Sequence, residues 1–163
     1  MVREENTSLD AYKTINDTLV HLFNEIWELE EKAIITEEFQ DITNNDMHII
    51  EAVGPGEDST MSAVAKKLGI TAGSLTTSMN SLVNKKYVTR QRSELDRRVV
   101  YIRLTAKGKR AYEHHKNFHM QMTNAVIENL DEKELEILLQ TLDKLSLFFR
   151  GYPKQKQEKN VDF

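Results

Sequence analysis

The chain has 163 residues, about one to one and a half average domains, with 29% charged residues, 39% hydrophobic residues and a formal net charge of −4. Two Pro and six Gly exclude a collagenous or linker-like chain; no apolar run approaches the ~20 residues of a membrane span, and the start Met1-Val2-Arg3-Glu4-Glu5 lacks the apolar segment of a secretory signal. The lack of Cys excludes disulfides, thiol catalysis, thiol redox sensing and cysteine-ligated zinc, so a cytoplasmic protein is expected.

Over residues 9–33, Tyr12, Ile15, Leu19, Leu22, Phe23, Ile26 and Ala33 recur at spacings of three and four, which predicts a long amphipathic helix. Thr43-Asn44-Asn45-Asp46 has the form of a capping box with Asp in place of Glu; a short helix through Met47, Ile49, Ile50 and Val53 follows, broken by Gly54-Pro55-Gly56. Ser59 or Thr60 caps the next helix, buried through Met61, Val64, Ala65 and Leu68 and ended by Gly69. Thr71 caps another, with Ala72, Leu75, Met79, Leu82 and Val83 at helical spacing. Two short helices joined by a tight Gly-containing turn match a helix-turn-helix.

The period changes after Lys86. Tyr87 to Arg92 and Val99 to Leu104 read as two strands, separated by the polar stretch Ser93-Glu94-Leu95-Asp96-Arg97-Arg98. This is a β-hairpin, or wing, with a basic tip. Thr105 caps a long helix buried along Ala111, His115, Phe118, Met122, Val126 and Leu130. Asp131-Glu132-Lys133-Glu134 caps a last helix with the stripe Leu135, Leu138, Leu139, Leu142, Leu145 and Phe149, ended by Gly151-Tyr152-Pro153. The fold class expected is mainly α with a small β-hairpin: a winged helix-turn-helix lobe over 43–108, a helical region from both chain ends over 9–34 and 109–150, and flexible tails over 1–8 and 151–163.

Charge divides along the same lines. Residues 1–58 hold 3 Lys/Arg against 15 Asp/Glu, residues 59–116 hold 13 against 3, and residues 117–163 hold 6 against 8. The basic block therefore coincides with the helix-turn-helix and wing, the footprint of a polyanion-binding module. No glycine-rich phosphate loop, nucleophile elbow or paired-carboxylate motif is present, so no enzyme is expected. A winged helix used only for protein contacts is the alternative of another class.

The stretch Asp96-Arg97-Arg98-Val99-Val100-Tyr101-Ile102-Arg103-Leu104-Thr105-Ala106-Lys107-Gly108, in this order of elements, resembles the MarR family of bacterial transcription regulators. Leu75 to Leu82, Arg92-Ser93-Glu94 and His115-Lys116-Asn117-Phe118-His119 are most similar to the family's repressors of fatty-acid synthesis. Lys86 stands where the family usually has Gly. The resemblance implies a homodimer paired through first and last helices. Leu145, Leu147, Phe148 and Phe149 within five residues agree, being more than one face buries in one chain. A two-fold dimer matches a pseudo-palindromic site in double-stranded DNA.

On the second helix of the motif, the buried line leaves Gly73, Ser74, Thr77, Asn80 and Ser81 outward, with Thr76 and Ser78 flanking and Thr71 at the start. This face carries no Arg or Lys, so it lacks the commonest guanine contact; threonine methyls suit thymine and Asn80 suits adenine. Arg97 and Arg98 at the wing tip suit a narrow minor groove, and the resemblance implies that Asp96 holds Arg98. Lys66, Lys67, Lys85, Arg90, Arg92 and Lys107 are candidate phosphate contacts. An A·T-rich operator is expected.

The resemblance also implies an effector between the dimerisation helices and the DNA-binding lobe, with Phe23, Trp27, Met47, His48, Tyr112, His115, Phe118, His119 and Met122 as candidate lining. For the fatty-acid repressors that effector is a long acyl chain on acyl carrier protein, acting as co-repressor; Lys107, Lys109, Arg110 and Lys116 are available to an acidic carrier. No resident cofactor is required on this reading. Zinc is the alternative: His115 and His119, four apart on one helical face, share the spacing of a metal pair, with His48 and one of Glu25, Glu28 or Glu30 to complete it. A zinc-sensing member of the family uses a similar set.

Overall fold

The computed structural model of the protein describes residues 2–56 and 59–151. In chain order the elements are α1 (Val2–Ile34), α2 (Asn44–Val53), β1 (Ser59–Thr60), α3 (Met61–Leu68), α4 (Ala72–Asn84), β2 (Val88–Arg92), β3 (Val100–Leu104), α5 (Ala106–Glu128) and α6 (Glu132–Gly151). They form two compact units, the first ending at His119 and the second beginning at Met120.

The helix starts follow from their caps. Thr43 Oγ1 accepts from the Asp46 amide at 3.2 Å, and Asp46 Oδ2 accepts from the Thr43 amide at 3.3 Å, so the shorter acid still closes the box. Thr60 caps α3 by accepting from the Ala63 amide, and Thr71 caps α4 by accepting from the Ser74 amide. Helices α3 and α4 end alike. Ile70 N donates to Ala65 O and Gly69 N to Lys66 O; Tyr87 N donates to Leu82 O and Lys86 N to Val83 O. That pair of bonds needs a left-handed residue after the helix. Gly69 supplies it at φ 68°, and Lys86 supplies it at φ 64° with a side chain attached.

The three strands form an antiparallel sheet in the order β1-β3-β2. The two-residue β1, absent from the sequence reading, pairs Ser59 with Ile102 and Thr60 with Tyr101. In the hairpin, Val88 lies opposite Leu104, Arg90 opposite Ile102 and Arg92 opposite Val100. Val88, Ile102 and Leu104 are buried, so this parity marks the sheet face packed on the helices.

The core joins Met47, Ile49, Ile50, Val64, Leu75, Met79, Leu82, Tyr87 and Ile102 with Ile34, Phe39 and Ala111. Each of the α4 anchors Leu75, Met79 and Leu82 is fully buried, a contribution of about 1.5–3 kcal/mol apiece. The wing base is fastened to α5 by Thr105, whose hydroxyl donates to Lys86 O at 2.6 Å and accepts from the Gly108 amide at 3.1 Å. Gly108 allows this approach: a Cβ there would overlap the Tyr87 carbonyl oxygen.

The long helices are formed but sparsely buried. Helix α1 starts at Val2 rather than near residue 9, since the sequence from Arg3 to Leu9 holds no Pro or Gly to break a helix. The expected tail beyond Gly151 lies outside the described residues. Tyr12, Ile15, Leu22, Phe23 and Trp27 are all exposed in the single chain; among the side chains described over residues 10–34, burial is confined to Glu30 and Ile34 at the C-terminal end. In the second unit, Asp131 and Glu134 close the expected capping box of α6. No α6 residue is buried, and Leu139, Leu142, Leu147 and Phe149 are exposed.

Candidate nucleic-acid interface

Helix α4 turns its neutral face to solvent. Gly73, Ser74, Thr77 and Asn80 are exposed, and Thr76, Ser78 and Ser81 half-exposed, opposite the buried Leu75-Met79-Leu82 line. Thr71 and Ser74 are already engaged at the cap, where their hydroxyls lie 2.9 Å apart. The Thr76 hydroxyl donates back to Ala72 O at 2.8 Å, which satisfies it within the helix. The sequence reading missed a cation on this face. Strand parity puts Arg90 on the helix side of the sheet, and its Nη1 donates to Asn80 Oδ1 at 2.6 Å.

At the wing tip, Ser93 Oγ accepts from the amides of Leu95 and Asp96, and Asp96 Oδ1 accepts from the Arg98 amide at 2.9 Å. Arg98 Nε lies 3.6 Å from the same oxygen, with 95% of the side chain exposed. Asp96 therefore fixes the turn and leaves the Arg98 guanidinium projecting. Arg97 and Arg92 are exposed and have no ion-pair partner among the described residues.

The four lysines expected at phosphates divide differently. Lys66 is exposed and unpaired among the described residues. Lys67 Nζ instead donates to Ala52 O near the end of α2, at 3.0 Å. Lys85 Nζ pairs with the capping Asp46 at 2.8 Å. Lys107 Nζ lies 3.2 Å from Asp41 and 4.0 Å from the Tyr87 ring centroid. Tyr87 completes this last network, its hydroxyl donating to Asp41 at 2.7 Å. Burial, with the adjacent carboxylate, pushes the Tyr87 phenol well above its ordinary value. Burial pulls Asp41 upward, but the bonds from Tyr87 and Lys107 outweigh it and hold the carboxyl low. Lys85 and Lys107 thus tie the α1–α2 connection and α2 to the wing base, a role that spacing alone did not reveal.

A cavity of about 330 Å³ is lined by His48, Glu51, Tyr112, His115, Lys116 and His119. Of the other expected lining residues, Trp27 stands beside the His48 ring at 6.3 Å and Phe118 against the His119 ring at 5.5 Å. Phe23 is 65% exposed, and Met47 lies in the hydrophobic core, because it shares the inner face of α2 with Ile50. Met122 belongs to the second unit. The lining carries more charged and titratable groups than expected: beside the Tyr112 ring stand three imidazoles, the Glu51 carboxylate and the Lys116 ammonium.

Glu30 is the carboxylate that joins the histidines. Its Oε1 lies 2.7 Å from His115 Nε2 and 3.4 Å from His119 Nε2, and its Oε2 lies 3.7 Å from His48 Nε2. Glu51, absent from the sequence reading, comes within 3.9 Å of both His48 and His115. Glu25 and Glu28 are exposed, Glu28 pairing with Lys32. Burial lowers the His115 pKa against the opposing pull of Glu30, which favours a neutral imidazole. On the carrier side, Arg110 is held by Glu38 at 2.6 Å and Lys116 lies 3.9 Å from Glu113, leaving Lys109 unpaired among the described residues.

Known proteins place this architecture. The MarR family profile matches residues 40–99, from before α2 to the residue preceding β3. FabT of Streptococcus pneumoniae, solved in complex with DNA, is 39% identical, with a TM-score of 0.81 over 85% of this chain and 97% of that one. The adhesin competence repressor AdcR of Streptococcus pyogenes is 25% identical, with a TM-score of 0.63 over 83% of this chain and 98% of that one. The HTH-type transcriptional regulator PchR of Bacillus subtilis is 25% identical over 120 residues, 71% of each chain. A winged helix-turn-helix shared at this identity over nearly the whole of a DNA-bound structure makes the chain a DNA-binding transcriptional regulator rather than an enzyme, and it belongs to the MarR family.

Proposed function

We propose that the protein is a homodimeric cytoplasmic repressor of fatty-acid synthesis genes that binds an A·T-rich pseudo-palindrome and responds to a long acyl chain on acyl carrier protein. The observation that carries this reading is the likeness to DNA-bound FabT, which extends over 85% of this chain. The exposed apolar side chains of α1 and, separately, of α6 support a second copy, since patches of that extent are seldom left in water. The small α4 face and the projecting Arg98 support A·T-rich DNA: slim side chains admit the helix deeply, and a narrow minor groove concentrates negative potential. The test is operator affinity of the purified protein with and without carrier protein bearing a long acyl chain. Tighter binding with the loaded carrier is expected, and unchanged affinity overturns the acyl response.

One observation favours a second effector. The ligand atoms of Glu30, His48 and His115 lie within 4.8 Å of one another, and His119 Nε2 is 3.1 Å from His115 Nε2. Three imidazoles and one carboxylate are a nitrogen and oxygen set that suits zinc. On this reading Glu30 of α1, His48 of α2 and the His115–His119 pair of α5 would hold the ion, which supplies a charge joining three helices of the first unit. Zinc bound at one equivalent per chain, with operator affinity lost on chelation, is expected of a metal sensor; a metal-free protein indifferent to zinc removes this reading.

A further inference from the structure

The α4 face lacks a cation in sequence, yet a guanidinium reaches it in space. Arg90 leaves β2 on the sheet face that packs against the helices, opposite the buried Ile102. Instead of turning away as a lone phosphate contact, it binds the carbonyl oxygen of Asn80 at 2.6 Å. Both side chains are exposed, so nothing in the interior requires the pair. Asn80 lies on the exposed strip with Gly73 and Thr77.

We infer that Arg90 and Asn80 form one base-reading unit that selects a guanine in each half-site. The inference rests on the DNA-binding reading above and deepens it. An unassisted Asn pairs with adenine by donating to N7 and accepting from the N6 amino group. Here the Asn80 oxygen is held by a cation, so the amide turns its N–H donors outward and a guanidinium with unused donors lies beside it. This combination is rich in donors, with one lone pair of Asn80 Oδ1 left beside the guanidinium. Facing adenine, it would set a cation against the N6 amino group; facing guanine, it meets two acceptors, O6 and N7. The operator is thus A·T-rich around one G·C pair in each half-site, set by a residue of the wing strand acting through the reading helix.

The test is selection from a random duplex pool with the full-length protein, followed by affinity measurements on duplexes carrying each base at every selected position. For the wild type, replacing the guanine by adenine is expected to weaken binding about tenfold or more. Asn80→Ala and Arg90→Ala are expected to lose discrimination at that same position while keeping it elsewhere. Arg90→Lys retains the charge without the planar fork, and is expected to keep most affinity for non-specific DNA but lose the guanine preference. A uniform loss across all sequences in Arg90→Ala, with a salt slope reduced by about one, makes Arg90 a phosphate contact and overturns the proposal. Selection of adenine at the position Asn80 controls also overturns it. A wild type that selects no sequence fails differently, because it removes the operator reading on which the pair depends.

Discussion

Lys86 shows what a single residue carries in this fold. The bonds that end α4 demand a left-handed backbone, and a lysine holds it at φ 64° where the family usually has glycine. A side chain in that region costs roughly 1–2 kcal/mol, partly offset because glycine loses more freedom on folding. Lys86→Gly is therefore expected to gain about 0.5–1 kcal/mol in urea unfolding with an unchanged m-value; a loss of stability would contradict the strain assigned to this turn. The residue types at the caps were readable because their bonds are local, as in the Thr43–Asp46 box and at Thr60 and Thr71. The partners of Lys85, Lys107 and Arg90 were not readable. Asp46 is 39 residues from Lys85, Asp41 is 66 from Lys107, and the 10 residues from Asn80 to Arg90 cross from helix to strand. No periodicity records such meetings.

Among elements, the helix-turn-helix and wing were legible because period and punctuation agreed. Spacing near 3.6 residues up to Asn84 gives way to the β-branched and aromatic residues of the strands, clearest in β3, and Gly69 falls where α3 stops. Strand β1 escaped because two residues have no period, and its pairing with β3 spans some forty residues. At the candidate effector site the His115–His119 spacing was readable along one helix, whereas choosing Glu30 over Glu25 and Glu28 required the packing of α1 against α2. The wing's contribution is separable from the fold. Asp96 holds the turn through the Arg98 amide, so removing the Arg98 side chain leaves the hairpin intact. Arg98→Ala is expected to cost about 1–3 kcal/mol of operator binding with unchanged far-UV circular dichroism and melting temperature. Undiminished affinity would remove the wing tip from recognition.

For the whole molecule, charge and exposed apolar surface make separate demands. Residues 59–116 concentrate 13 Lys/Arg against 3 Asp/Glu, while α1 and α6 each leave apolar side chains in solvent. The first feature is accounted for by duplex DNA, and the second is what the homodimer proposed above would cover. The apolar periodicity of α1 was legible, but the expectation that a second copy covers it came from the family resemblance, because an amphipathic stripe looks the same against a core or against a neighbour. The most direct test of both demands is the mass in solution of the complex with a selected duplex, measured across salt concentrations. Two chains per duplex are expected, with affinity falling steeply as salt rises. One chain per duplex, or no complex at low salt, would contradict the account.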